Sequence, residues 1–124
     1  MIAGGTGITP FYQILQAAHL LADKCEFYLV FANRSTKDIL LREELDNIFK
    51  AQSFKFNLFY TVDRHEDDWT GGVGHVNKDV LSTHLPQPDD DTLMLTCGPP
   101  IMCQDVVIPM LKELGHKVDN IFDF

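Results

Sequence analysis

The amino-acid sequence predicts an α/β protein in which a five-stranded parallel sheet carries helices on both faces. Three observations predict it. Apolar runs of strand length alternate with segments whose apolar residues recur at helical spacing, from one end of the chain to the other. A glycine-rich turn, Gly4-Gly5-Thr6-Gly7, joins the first apolar stub to the first helical segment. The 124 residues contain no internal repeat, no low-complexity stretch and no linker long enough to divide two domains. Residues 1–124 are therefore expected to share one core of ordinary domain size.

Each element follows in order. Met1-Ile2-Ala3 reads as the tail of a buried strand, so the first strand is expected to be truncated and short. After the glycine turn, Thr9 suits a helix cap and Pro10 a first helical position. Phe11, Ile14, Leu15, Ala18, Leu21 and Ala22 then recur at helical spacing. Glu26 to Asn33 is a nearly continuous apolar run, the mark of a strand covered on both faces. Asp38 opens a second helical pattern that places Leu41, Leu45, Ile48 and Phe49 on one side. Phe54, Phe56, Leu58, Tyr60 and Val62 alternate with polar residues as in a strand. The charged, glycine-containing stretch from Asp63 to Gly74 reads as a loop, Lys78 to Leu85 as a short helix, and Pro86 to Asp91 as a surface turn. Thr92 to Cys97 supplies a strand, and Gly98-Pro99-Pro100 opens a helix running to about Leu114. Gly115 stands where a left-handed C-cap belongs, and Val118 to Phe124 forms the last strand. The alternation implies a parallel sheet, whose ligands bind beyond the carboxyl ends of the strands.

Composition narrows the function classes. Hydrophobic residues make up 45% and charged residues 23%, and the net charge is −8 with a pI near 4.8. That balance argues against a nucleic-acid groove, which needs clustered cations. No apolar run approaches the roughly 18 residues of a membrane helix. Three cysteines, Cys25, Cys97 and Cys103, match no zinc spacing, the pattern expected of a reduced, cytoplasmic protein. His19, His65, His75, His84 and His116 show no metal-ligand spacing, so no metal is expected.

The candidate site residues lie in the loops after the strands. The turn Gly4 to Gly7, followed by Thr9 and Pro10, permits close backbone approach and offers free N–H groups at a helix start, both suited to a diphosphate. It matches neither GxGxxG nor a Lys-Ser/Thr phosphate loop, and a tight turn without a ligand would read the same way. Cys97, before Gly98-Pro99-Pro100, ends a strand at the same edge of the sheet. It would sit beside anything bound on the first turn, or serve simply as a small buried residue. No histidine or asparagine is tied to Cys97 by a motif, which disfavours a nucleophile. Asp63 ends the third strand, where a carboxylate can accept hydrogen bonds from a ribose diol and repel a 2′-phosphate. Asn33 and Arg34 end the second strand, and Arg34 could instead attract that phosphate. Solvated loop charges are the plainer reading of both sites. Trp69 reads as a loop anchor.

Together these stretches resemble the nicotinamide-binding domain of the ferredoxin-reductase-like flavoenzymes, in particular the cytochrome b5 reductases and the C-terminal module of assimilatory nitrate reductase. The resemblance rests on GGTGITP (Gly4 to Pro10), FANRSTKDILLREEL (Phe31 to Leu45), YTVDR (Tyr60 to Arg64), WTGGVGHV (Trp69 to Val76), CGPPIM (Cys97 to Met102) and the terminal Phe124. It implies that NADH lies across the carboxyl ends of the strands and passes a hydride to N5 of FAD, after which single electrons leave for a haem protein such as cytochrome b5. It further implies that Gly4, Gly5, Thr6, Gly7, Thr9 and Pro10 line the pyrophosphate and nicotinamide side, with Asn33, Arg34 and Asp63 on the adenosine side. Gly98, Pro99, Pro100, Met102 and Phe124 would complete the cofactor contacts. Cys97 and Thr6 would stand at the catalytic contact, Cys97 acting by position. The protein would supply orientation and exclusion of water, the cofactors the redox chemistry.

Three departures accompany the resemblance. His75 replaces an aromatic residue, and Ile101 stands where a third proline is common. Nothing here matches the FAD-binding barrel that precedes this domain in the family, so the chain alone is expected to hold no FAD tightly and to be inactive as a reductase. A nucleotide-binding module without hydride transfer is the alternative of another class. The set formed by Cys97, Pro99 and Phe124 argues against it, because binding adenosine alone would not need it.

Overall fold

A computed structural model describes residues 1–124. All the strands run parallel in one sheet ordered β4-β3-β2-β1-β5-β6. The strands are β1 (Ile2–Gly4), β2 (Glu26–Ser35), β3 (Lys55–Arg64), β4 (Gly72–Val73), β5 (Met94–Cys97) and β6 (Ile121–Asp123). Helices α1 (Ile8–Leu21) and α2 (Arg42–Ala51) cover one face; α3 (Lys78–His84), a π-helical segment (Ile101–Val107) and α4 (Ile108–Glu113) cover the other. Residue alternation in β2 explains the two-sided core. Leu29 and Phe31 meet Ile8, Phe11 and Leu15 of α1, while Val30 meets Leu81 of α3, Val107 and Leu111. All these side chains are essentially inaccessible to water, and burying each such aliphatic or aromatic side chain contributes about 1.5–3 kcal/mol.

The sheet has six strands, not five. The extra one is β4, whose two residues pair with Thr61 and Val62 inside the stretch that reads as a loop. Two residues cannot display a period. Their pairing is set by contacts instead: Gly74 N–H donates to the Val62 carbonyl (2.8 Å), the Thr61 hydroxyl to the Gly74 carbonyl (2.7 Å) and the Trp69 indole to the Gly72 carbonyl (2.9 Å). Gly72 lies so close to the Phe59 ring that a Cβ would come within 2.5 Å of it. Trp69 packs against the core beneath Arg42, whose guanidinium sits 5.2 Å from the indole centroid.

Other boundaries shift for local reasons. Helix α1 begins at Ile8 because Gly5–Gly7 already forms a 3-10 turn leading into it. Thr9 therefore does not cap the helix. Its hydroxyl donates to the Thr6 carbonyl (3.1 Å), and Pro10 occupies the third helical position, where an N–H has no partner to lose. Helix α2 starts at Arg42, not Asp38. Residues Thr36–Asp38 form a separate turn, closed by Ser35 donating to Asp38 (2.8 Å), and Leu41 is left-handed at φ 55°. The last helix opens as a π segment before Pro109. A proline gives no N–H and crowds the carbonyl four residues back, a conflict that wider turns relieve. Gly115, at φ 99°, caps α4 as expected: its N–H donates to Lys112 and that of His116 to Leu111, both at 3.0 Å. Strand β6 is shorter than Val118 to Phe124 because Val118–Asn120 forms a 3-10 turn. Strand β1 has three residues, yet it pairs with β2 on one side and β5 on the other. The Met1 amine extends that ladder by donating to the Tyr28 carbonyl (2.7 Å).

Candidate functional site

The strand order reverses at β1. The chain proceeds from β1 towards β2 and β3 and later returns on the other side as β5 and β6, so a crevice opens at the carboxyl ends of β1 and β5. Ala3 is paired with Cys97 there, which brings the turn after β1 against the turn after β5. The two turns interlock backbone to backbone. A Cβ on Gly7 would overlap the Cys97 carbonyl, and one on Gly98 would come within 3.0 Å of the Gly4 amide nitrogen. Gly4 in turn is covered by the Met102 thioether, at 2.8 Å from a built Cβ, and by Pro99 at 3.0 Å. Gly5 differs: its φ is 53° and the space where a Cβ would point is open. Gly4, Gly7 and Gly98 thus allow the turns to touch, while Gly5 shapes the outward-facing arc beside exposed Thr6.

Cys97 is half-buried, and burial foremost, with the Asp123 carboxylate second, raises its thiol above the ordinary range. It is therefore a neutral thiol at pH 7, suited to contact and not to attack on a carbon centre. Asp123 is held by the Thr96 hydroxyl (2.8 Å) and the Gln104 amide (3.4 Å). Phe124 follows, its N–H donating to the Thr96 carbonyl (2.9 Å) and its ring meeting Phe11 edge-on at 5.8 Å. The residue as a whole remains 64% exposed. Cys97, Pro99 and Met102 thus lie against Gly4 and Gly7 at the carboxyl ends of β1 and β5, with Thr6 and Pro100 exposed and Phe124 following the strand next to β5.

The remaining candidates lie along the same edge of the sheet. Asn33 ends the covered part of β2 beside Val62, and it is 9% exposed. Its Nδ2 is the one buried side-chain nitrogen or oxygen without a hydrogen-bond partner. Such a group costs about 1–3 kcal/mol unless something accepts from it. Arg34 is exposed and makes no ion pair within 4.0 Å. Asp63 lies one residue beyond Val62, and its Oδ1 is 3.2 Å from Nε2 of His75. The sequence reading treats these two residues separately. Their contact follows from β4, which runs beside β3 and delivers residue 75 to residue 63. Thr9 and Pro10 are helical and one turn removed from the open arc. A cavity of about 590 Å³ sits elsewhere, at the amino ends of β2 and β3 among Asp23, Glu26, Phe49 and Phe54. It contains none of these residues.

A family model described as the oxidoreductase NAD-binding domain matches residues 1–107. The chain belongs to that family. This NAD-binding domain is 46% identical, over 127 aligned positions, to NADH-cytochrome b5 reductase 3 of Rattus norvegicus, covering 100% of the chain and 42% of the relative. It is also similar to the crystal structure of the cytochrome b5 reductase domain of Ulva prolifera nitrate reductase, with a TM-score of 0.91 and 35% identity, covering 100% of this chain and 47% of that one. Flavohemoglobin from Malassezia yamatoensis, a structure with bound FAD and heme, follows at a TM-score of 0.81 and 26% identity over 99% of this chain and 30% of that one. The domain thus spans less than half the length of these relatives. Its sheet with helices is the ferredoxin-reductase-like NAD-binding fold, and none of its helices is long and apolar enough to cross a membrane.

Proposed function

We propose that this domain is the NADH-binding module of an FAD-dependent reductase of the cytochrome b5 reductase type. The observation that carries the reading is the interlock of Gly4–Gly7 with Cys97–Met102. It brings the turns on both sides of the switch point into contact, where a ligand of this sheet type binds. The residues fit a dinucleotide. Amide groups at the start of α1 favour a diphosphate, the unpartnered Asn33 Nδ2 is a donor awaiting an acceptor, and Asp63 offers acceptors to a ribose diol.

When both cofactors are bound, NADH supplies a hydride and FAD accepts it, and the protein's part is placement. Thr6 and the open arc at Gly5 would hold the nucleotide on one side, while Cys97, Pro99 and Met102 would form the facing wall. Cys97 presents an uncharged sulfur that lets a flat ring approach closely. Phe124, packed on Phe11 and largely exposed, would be free to meet the bound rings. The FAD-binding domain would lie in the same longer protein, and the electron acceptor would be a haem protein such as cytochrome b5, in the cytoplasm or on the cytosolic face of a membrane. The NADH module of a nitrate reductase is the second reading, favoured by the likeness in the Ulva structure.

Calorimetric titration of the 124-residue chain with NADH and NADPH tests the core of this reading. NADH is expected to bind weakly, and more tightly than NADPH. Replacing Asp63 with Ser is expected to narrow the difference. No heat with either nucleotide would sink the proposal, and an unchanged ratio in Asp63→Ser would remove Asp63 from the ribose site.

A further inference from the structure

We propose that Asp123 discriminates between the two redox forms of the coenzyme, its carboxylate favouring the positively charged, oxidised nicotinamide over the neutral, reduced one. The inference rests on the dinucleotide-binding role given above. In the register of the sheet Asp123 stands opposite Thr96, the residue before Cys97. Neighbouring strands lie about 5 Å apart, so the carboxylate is fixed beside the Cys97 wall. Two neutral donors hold it: the Thr96 hydroxyl donates to Oδ1 (2.8 Å) and the Gln104 amide to Oδ2 (3.4 Å). Thr96 is wholly buried, and its carbonyl accepts from the Phe124 N–H (2.9 Å), so one β5 residue fixes both the side chain of residue 123 and the peptide that follows it. Asp123 makes no ion pair within 4.0 Å. An asparagine would accept the same bond from Thr96, so the pairing of the strands does not account for a charge here.

The charge is felt in the crevice. After burial, the Asp123 carboxylate is the second cause that raises the Cys97 thiol. NAD+ and NADH share the adenosine, the diphosphate and both riboses. They differ at the nicotinamide, whose ring is cationic when oxidised and uncharged when reduced. A carboxylate behind the Cys97 wall attracts the first form and has no charge to attract in the second. The same field favours the positive charge that grows on the ring as a hydride departs. Asp123 is exposed, so water and salt weaken the attraction and keep its effect modest. The net charge of −8 also favours the less anionic NAD+ at long range, and the test separates that contribution from the local one.

Calorimetric titration of the 124-residue chain with NAD+ and with NADH gives the ratio of the two affinities. Asp123→Asn keeps an acceptor for Thr96 and removes the charge, so it is expected to melt with the parent. Its affinity ratio is expected to shift against NAD+ by about two- to fivefold, the range of an exposed charge interaction. Glu26→Gln removes the same charge at the amino end of β2, far from the crevice, and is expected to leave the ratio within about 1.5-fold of the parent. At about 1 M salt the difference between parent and Asp123→Asn is expected to vanish. An unchanged ratio in Asp123→Asn overturns the inference, and NADH binding by the parent then leaves the proposed function standing. Equal weakening of both nucleotides also overturns it, because the role of Asp123 would be structural. An equal shift in Glu26→Gln overturns it too and assigns the effect to net charge. Failure of the parent to bind either nucleotide overturns the proposed function, and this inference with it.

Discussion

Cys97 shows how a single side chain divides between packing and chemistry. Its thiol is raised by burial and by the Asp123 carboxylate, so at pH 7 it is not an activated nucleophile. Its position, paired with Ala3 and pressed against Gly7 through its own carbonyl, is what the crevice uses. In a protein carrying both the NAD and FAD domains, Cys97→Ala is expected to lower turnover at least about tenfold, the cost of a small misplacement of reacting groups. Flavin content should stay near that of the parent. Comparing kcat with flavin absorbance separates the two, and loss of flavin with retained turnover per flavin would show that Cys97 is structural. Gly7 makes the complementary point. Its φ is ordinary, so the need for glycine comes from the Cys97 carbonyl alone. Gly7→Ala is expected to destabilise the domain by about 2–4 kcal/mol, as overpacking against backbone cannot relax cheaply. Denaturant unfolding would register it as a lower midpoint with unchanged slope.

At the scale of elements, most of the fold was legible because burial imposes a period. Strands β2 and β3 and helix α1 each carry enough residues to show one, and Gly115 marks its helix end through a positive φ that only the motif explains. Two elements were not legible, for different reasons. Strand β4 is two residues long and is specified by hydrogen bonds to Val62, Thr61 and Trp69 that no spacing announces. The π segment reads as ordinary helix because its departure lies in hydrogen-bond register and not in side-chain pattern. The site divides the same way. The facing turns could be anticipated from glycine and proline placement, whereas the Asp63–His75 contact depends on β4 and was hidden with it. Gly115→Ala tests the legible kind of element. The cap is expected to lose about 1 kcal/mol, since alanine must adopt the positive φ that glycine takes there without strain. A melting temperature unchanged by that substitution would mean that the new methyl, which would meet Pro88 at 3.5 Å, gains enough packing to offset the strain.

For the whole molecule, the two turns that interlock sit at the switch point in the middle of the sheet, at the carboxyl ends of β1 and β5. The interlocked turns carry a further consequence, for biosynthesis. Their halves lie near opposite ends of the chain, and β1 remains an open edge of the growing sheet until β5 leaves the ribosome. A chain cut before β5 lacks the turn from Cys97 to Met102 and part of the core on the α3 face, so it has no second wall for a nucleotide. A nucleotide held between the two turns would stabilise only chains that contain both of them, and would do so by mass action.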